Sequence, residues 1–262
     1  MSEPLPFQSS LDGPPDAPVL VLGNSLGTSG SVWDRQVPVF ARTYRLLRYE
    51  LPGHGGSAAA PGPYTIGALG AGVLALLDRY AVEAAAYCGI SLGGMIGMWL
   101  AASAPRRITA LGLVCTSAYL PPASGWLERA AQVRAAGMAS ISAPSIGRWF
   151  TQGFTWHEPE LVASFAAELE RTDVEGYAGC CAAIAGMDLR GQLGAITAPT
   201  LVIAGDQDPA TPPAHGAAIA AAIPGARLRV IRGAAHLANV GAPGEVTTVL
   251  ADHLRAASQR PG

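Results

Sequence analysis

Apolar positions in this chain fall into two alternating kinds of run. Four consecutive apolar residues, Val19–Leu22, closed by Gly23, predict a buried strand of a parallel sheet. Leu46–Leu51 predicts a second strand, broken by Glu50 and followed by the turn residues Pro52-Gly53-His54-Gly55-Gly56. Between Tyr64 and Tyr80 the period lengthens, and Leu69, Val73, Leu76 and Leu77 fall on one stripe of a helix. Ala84–Ile90 then predicts a strand, Leu92–Ala102 a helix stopped before Pro105, and Ile108–Cys115 another strand. Later come a strand over Pro199–Ala204, a helix over Pro213–Ile223, a strand over Leu228–Ile231 and a closing helix over Pro243–Ala256. Strand and helix in strict alternation predict an α/β fold, a mostly parallel central sheet covered by helices on both faces.

The cadence breaks between Tyr119 and Met187. No strand pattern occurs there, but Trp126–Ala136, Ser145–Phe150 and Glu160–Arg171 read as helical. A helical insertion between two strands of one sheet predicts a lid over a site. The expected organisation is therefore core over residues 1–118, helical cap over 119–188 and core again over 189–262, with a frayed tail from Gln259.

Composition narrows the chemistry. Of 262 residues half are apolar and 14% charged, with a net charge of −2, which offers no electrostatic case for nucleic acid or an anionic membrane. All 17 basic residues are Arg, so Schiff-base chemistry and a phosphate-loop lysine are excluded. The first ten residues lack the basic and apolar segments of a secretory signal, and every apolar run is too short to span a bilayer. The four cysteines, Cys88, Cys115, Cys180 and Cys181, lack metal-site spacing and read as buried small side chains in a reducing compartment. A cytoplasmic protein without metal or cofactor, acting as a monomer or small homo-oligomer, is the expectation.

Two segments match G-x-S-x-G, Gly23-Asn24-Ser25-Leu26-Gly27 and Gly89-Ile90-Ser91-Leu92-Gly93. The pattern matters where a strand turns sharply into a helix, because the serine then projects at the helix N-terminus. Ser91 has both flanking elements and is the expected nucleophile. Ser25 is followed by Gly27, Thr28, Ser29 and Gly30, which deny it a helix, so its loop is expected to donate backbone N–H groups.

Of five histidines, His236 follows a strand on a loop at the carboxyl edge of the sheet, where catalytic groups gather, and is the expected base. His54 reads as a structural hydrogen bonder, His157 as solvated, His215 as a first-turn residue and His253 as surface or packing. The loop after the preceding strand holds Asp206 and Asp208. Asp208, further out and backed by Pro209, is the expected orienting carboxylate, and Asp206 is expected to cap its own turn. With backbone N–H groups of Leu92 and Leu26 as the expected oxyanion hole, the set forms a Ser-Asp-His hydrolase in the chain order of α/β-hydrolases.

The quoted strings carry a more specific likeness. Asn24-Ser-Leu-Gly-Thr28, Leu51-Pro-Gly-His-Gly-Gly-Ser57, Gly89-Ile-Ser-Leu-Gly-Gly94, Arg148-Trp-Phe-Thr151, Gly176-Tyr-Ala-Gly-Cys-Cys181 and Ala235-His-Leu-Ala-Asn239 together resemble the 3-oxoadipate enol-lactonases of the α/β-hydrolase superfamily. Glu50, where many of these proteins carry Asp, and Gly241, where an acidic residue is common, depart from the pattern. The resemblance implies an α/β-hydrolase fold, Ser91, Asp208 and His236 as the catalytic set, and hydrolysis of 3-oxoadipate enol-lactone in aromatic catabolism. That substrate is a small anion, so a cation or several donors must meet its carboxylate. Arg129, Arg134 and Arg148 of the lid are the candidates, with Ser25, Trp126 and Trp149 as further lining residues. An esterase or cofactor-free perhydrolase, and a non-catalytic binding protein of the same fold, are the rival expectations.

Overall fold

A computed structural model gives the structure of the chain and describes Leu5 and residues 7–259. Of the tail expected to fray only Gln259 is described, and of the first ten residues, read for a signal, positions 1–4 and 6 lie outside the described residues.

Seven strands build one sheet: β1 (Ser9–Asp12), β2 (Val19–Gly23), β3 (Arg45–Tyr49), β4 (Ala85–Ile90), β5 (Ile108–Val114), β6 (Thr200–Gly205) and β7 (Arg227–Ile231). They lie in the order β1-β3-β2-β4-β5-β6-β7. Every pair is parallel except β1 with β3, where Ser9 faces Tyr49 and Asp12 faces Leu46 in antiparallel register. Strands β4 and β6 are buried at every residue, which is why they read as unbroken apolar runs. Strand β1 went unread because its Ser-Ser-Leu-Asp sequence is short, half exposed and poor in branched side chains. The other edge, β7, carries Arg227 and Arg229, charges that discourage pairing with another sheet.

The helices, in chain order, are α1 (Val37–Phe40), α2 (Ile66–Arg79), α3 (Leu92–Ser103), α4 (Ala123–Ala136), α5 (Ser142–Trp149), α6 (Gln152–His157), α7 (Pro159–Arg171), α8 (Val174–Ala185), α9 (Pro213–Ala222), α10 (Ala238–Gly241) and α11 (Pro243–Ser258). In α2 the stripe of Leu69, Val73, Leu76 and Leu77 is buried as expected, and Thr65 caps the helix by accepting from Ala68 N. Successive residues of β5 show how the sheet is covered on two sides. Leu111 packs towards Gly97 of α3, whereas Gly112 lies against Leu250 of α11. Side chains alternate across a strand, so α3 and α11 cover opposite faces. Each fully buried leucine between them, such as Leu100 or Leu250, contributes about 1.5–3 kcal/mol by leaving water.

Helices α4–α8 form the inserted cap. The chain leaves and re-enters the core at an antiparallel bridge between Tyr119 and Asp188, with Leu189 N donating to Ala118 O at 2.9 Å. Helix α8 carried no legible stripe because it is buried almost all round. Its glycines permit close approach to the core: a Cβ on Gly176 would lie 2.4 Å from Pro52 O, and one on Gly179 would lie 2.5 Å from the Tyr64 ring. Asp173 accepts from Glu175 N and Gly176 N to start α8, while its own amide donates to Gly53 O at 2.8 Å. The cap is thus tied to the core by backbone contact, not only by its two connections.

Candidate active site

Strand β4 ends at Ile90 and α3 begins at Leu92, leaving one residue to make the turn. That residue, Ser91, takes φ +53° and ψ −116°, a strained conformation for a side chain with a Cβ. The flanking glycines make the turn sterically feasible. A Cβ on Gly89 would sit 2.3 Å from Gly93 O, and one on Gly93 would sit 2.4 Å from the backbone of Gly23. Ser91 N donates to Val114 O at 2.9 Å, and Thr116 Oγ1 donates to Ser91 O at 2.7 Å, so neighbouring strand ends hold the strained residue.

Ser91 Oγ lies 2.8 Å from His236 Nε2, and His236 Nδ1 lies 2.8 Å from Asp208 Oδ2. All three residues are buried. With Nδ1–H donating to the carboxylate, Nε2 is free to accept the serine proton. Asp208 Oδ1 accepts from Ala210 N at 2.8 Å and Thr211 N at 3.0 Å, and Oδ2 accepts from Thr211 Oγ1 at 2.7 Å. Burial works against the charge on Asp208, but attraction to His236 and the hydrogen bonds from His236 and Thr211 outweigh it and hold the carboxyl at about 2. Asp206 does not cap its own turn as expected. Its Oδ1 accepts from Gly233 N at 2.7 Å and ties the loop after β6 to the loop carrying His236. The sequence spacing hides this, because the two residues approach only when β6 and β7 pair.

The other serine elbow takes a different form. Ser25 is buried, and its carbonyl accepts from Thr28 N at 3.2 Å and Thr28 Oγ1 at 3.0 Å, closing a tight loop after β2. Gly93 N donates to Asn24 O at 2.9 Å, which fastens this loop to the start of α3. Among the described residues the amides of Leu26 and Leu92 have no hydrogen-bond acceptor. Unspent backbone donors in a buried setting are uncommon, and such donors are chemically suited to receive an anionic oxygen.

Within the cap, two of the three lid arginines come together. Arg129 Nη2 donates to Ser145 Oγ at 2.6 Å and Arg148 Nη2 approaches the same oxygen at 3.5 Å. Among the described residues neither guanidinium has a carboxylate in ion-pair range, and Arg129 Nε is buried without a partner. Burial and the neighbouring Arg129 charge depress the Arg148 pKa. Arg129 also lies over the rings of Tyr177 at 5.8 Å and Trp126 at 5.9 Å. Trp149 is buried against Gly27, its Cζ2 3.4 Å from where a Cβ would stand. Arg134 is not part of this group: it forms a two-pronged pair with Glu175 at 2.9–3.1 Å on the exposed surface.

The remaining histidines stand apart from the relay. His157 is exposed, His215 is half-buried at the start of α9, and His253 packs in the interior with Nε2 3.1 Å from Leu111 O. His54 is fully buried beside the loop of Ser25. Sequence reasoning missed Thr211, Thr116 and Ser145. Only Thr211 had a local signal, since Asp-x-x-Thr is the spacing of a carboxylate accepting from the residue three positions on. The four cysteines are buried and unbridged. Among the described residues no cluster of three or more His, Cys, Asp or Glu could hold a metal ion, and no helix is long and apolar enough to cross a membrane.

Residues 18–243 match the model of the family described as alpha/beta hydrolase fold. The chain is 42% identical over 231 residues to the 3-oxoadipate enol-lactonase 2 of Acinetobacter baylyi, covering 88% of this chain and 86% of that protein. The crystal structure of an enol-lactonase from Burkholderia xenovorans superposes with a TM-score of 0.93 at 39% identity, covering 95% of this chain and 96% of that one. A hydrolase from Pseudomonas aeruginosa superposes with a TM-score of 0.92 at 44% identity, covering 95% and 94%.

Proposed function

This chain belongs to the alpha/beta hydrolase family, and on that premise we propose that it opens 3-oxoadipate enol-lactone to 3-oxoadipate through an acyl-enzyme on Ser91. The likeness to the enol-lactonases, 42% identical over 88% of the chain in the Acinetobacter protein, makes it a hydrolase of ester bonds. The observation that supports the lactone in particular is the pair Arg129 and Arg148, two half-buried arginines whose guanidiniums meet at Ser145 with no carboxylate in ion-pair range among the described residues. A neutral ester has no use for such a pair, whereas an anionic lactone supplies the missing charge.

The geometry supports the following chemistry. His236 Nε2 takes the proton of Ser91 as Oγ bonds to the lactone carbonyl carbon. The negative charge that develops on the carbonyl oxygen is met by the amides of Leu26 and Leu92, each such donor worth ~3 kcal/mol by comparison with serine proteases. The ring C–O bond then breaks and the leaving oxygen departs as an enolate, which takes up the proton held on His236 to become the ketone and leaves the imidazole neutral. An enolate is a good leaving group, so acid assistance matters less than in amide hydrolysis. Water, losing its proton to His236, attacks the acyl carbon; the bond to Oγ breaks, and His236 returns the proton to Ser91 as the acid is released. Asp208 stays ionised throughout, orienting the imidazole and stabilising its charged form.

A spectrophotometric lactone assay tests the reading. The wild type is expected to consume the lactone, Ser91→Ala to lose turnover and Ser25→Ala to keep most of it. A preference for p-nitrophenyl esters over the lactone would replace the reading with that of a general esterase.

A further inference from the structure

His54 is a fully buried titratable group that the reaction above leaves without a task. Its Nδ1 donates to Pro52 O at 2.9 Å, and this bond sets the tautomer in which Nε2 is a bare acceptor. The Gly27 amide donates to that Nε2 at 3.0 Å. Tyr177 of α8 lies against the imidazole, its ring centroid 6.3 Å away, and Asp173 at the start of α8 is the acidic group that acts on it.

The anchoring of the loop after β2 shows why this bond matters. At one end Asn24 Nδ2 donates to Tyr49 O at 2.8 Å, and at the other Gly30 N donates to Glu50 Oε1 at 3.0 Å. Between these anchors lie Leu26, whose amide is unspent, and Gly27, whose φ is +83°. A Cβ on Gly27 would stand 2.5 Å from Leu169 of α7, so the loop is pressed from the cap side. On the core side, the acceptor of the Gly27 amide is His54.

We propose that His54 is a positioning residue for the oxyanion hole: by accepting the Gly27 amide it fixes the peptide next to Leu26 and keeps the Leu26 amide available to the reacting carbonyl. A neutral imidazole suits this place better than a carboxylate would. It satisfies a buried N–H without setting a full negative charge one residue from the developing oxyanion. Burial outweighs the Pro52 hydrogen bond and the attraction of Asp173, and lowers the ring's pKa to about 4, so it stays neutral at working pH. This inference rests on Ser91 acting as a nucleophile but not on the lactone as substrate.

The test therefore uses p-nitrophenyl acetate and a trifluoromethyl ketone whose hemiketal oxygen occupies the oxyanion hole. His54→Phe is expected to lower kcat by about 10- to 100-fold, with KM within twofold, and to weaken the ketone by the same factor. His54→Gln, which retains an acceptor, is expected to recover at least part of both. A folded Phe variant with kcat and ketone affinity within twofold of wild type overturns the proposal. So does a folded Gln variant that loses kcat but keeps full ketone affinity. Long-range proton–nitrogen NMR of the wild-type chain tests it without substitution: the proton is expected on Nδ1, and a proton on Nε2 overturns it. Turnover of the acetate without turnover of the lactone removes the lactonase reading and leaves this test standing. A wild-type chain inert on both removes both.

Discussion

The amide of His236 donates to the carbonyl of Arg148 at 3.3 Å, and the next residue repeats the contact, Leu237 N to Trp149 O at 3.0 Å. The C-terminal turn of α5 is therefore stitched to the loop that carries the base. Arg148 thus serves two ends, its backbone holding His236 and its side chain reaching Ser145 beside Arg129. On the proposed reading, a single residue of the cap brings the group that meets the substrate's charge and the imidazole of His236 into one frame.

Removing either guanidinium should weaken the lactone and spare an uncharged ester. Losing a charge-assisted hydrogen bond costs about 1.5–3 kcal/mol, so Arg129→Ala and Arg148→Ala should each raise KM for the lactone by about 10- to 100-fold. KM for p-nitrophenyl acetate should stay within about threefold. Arg134→Ala, which breaks only an exposed pair with Glu175, should leave both constants unchanged. Steady-state kinetics on the two substrates would check this, and an unchanged lactone KM in both cap variants would sink the assignment of the pair.

Thr211 supplies two of the hydrogen bonds that hold the Asp208 carboxylate, one from its amide and one from its hydroxyl. Thr211→Val keeps the shape and the amide but deletes the hydroxyl. Its expected effect is a fall in kcat of roughly tenfold, from about 1–1.5 kcal/mol of lost orientation. Asp208→Asn should cost far more, on the order of 10⁴, because the imidazole loses its tautomer as well as its counter-charge. The ratio of the two falls, measured at saturating substrate, is the check.

Stability should fall on acidification in two separable windows. His54, about 4 when folded against 6.5 in the open chain, leaves the unfolded chain binding more protons as the pH drops from 6.5 to 4. Stability at neutral pH is therefore lost across that window, by roughly 3 kcal/mol. Asp208, held at about 2 against 3.8, adds its loss below, as the pH falls from 3.8 towards 2. Urea denaturation as a function of pH should show both, and His54→Gln should flatten the upper window only.

Two glycines should respond oppositely to alanine. Gly93→Ala drives a Cβ to 2.4 Å from the backbone of Gly23, where neither partner can yield, and should lower Tm and kcat together, costing about 1–3 kcal/mol or more. Gly147, inside α5, has open space where its Cβ would stand. Gly147→Ala should stabilise the chain by about 0.5–1 kcal/mol through helix propensity, read as a rise in Tm.

What the sequence by itself determined is whatever consecutive residues dictate. Unbroken apolar runs such as Val19–Leu22 and Leu201–Ala204 form buried parallel strands, because both faces of such a strand must shed water. The Gly-x-Ser-x-Gly string dictates the turn at Ser91, because only glycines tolerate the approach of Gly93 to Gly23. The expected loops, ending at Asp208 and His236, follow from the strands that precede them. Elements without a clear period stayed hidden, as with the four residues of β1 and the evenly buried α8. Tertiary structure alone decided which distant groups meet: Asp206 with Gly233, Arg129 with Arg148 over Ser145, and His54 with Gly27. Those pairings depend on hydrogen bonds a few ångströms long between residues separated along the chain, and such distances exist only once the sheet has closed and the cap has docked.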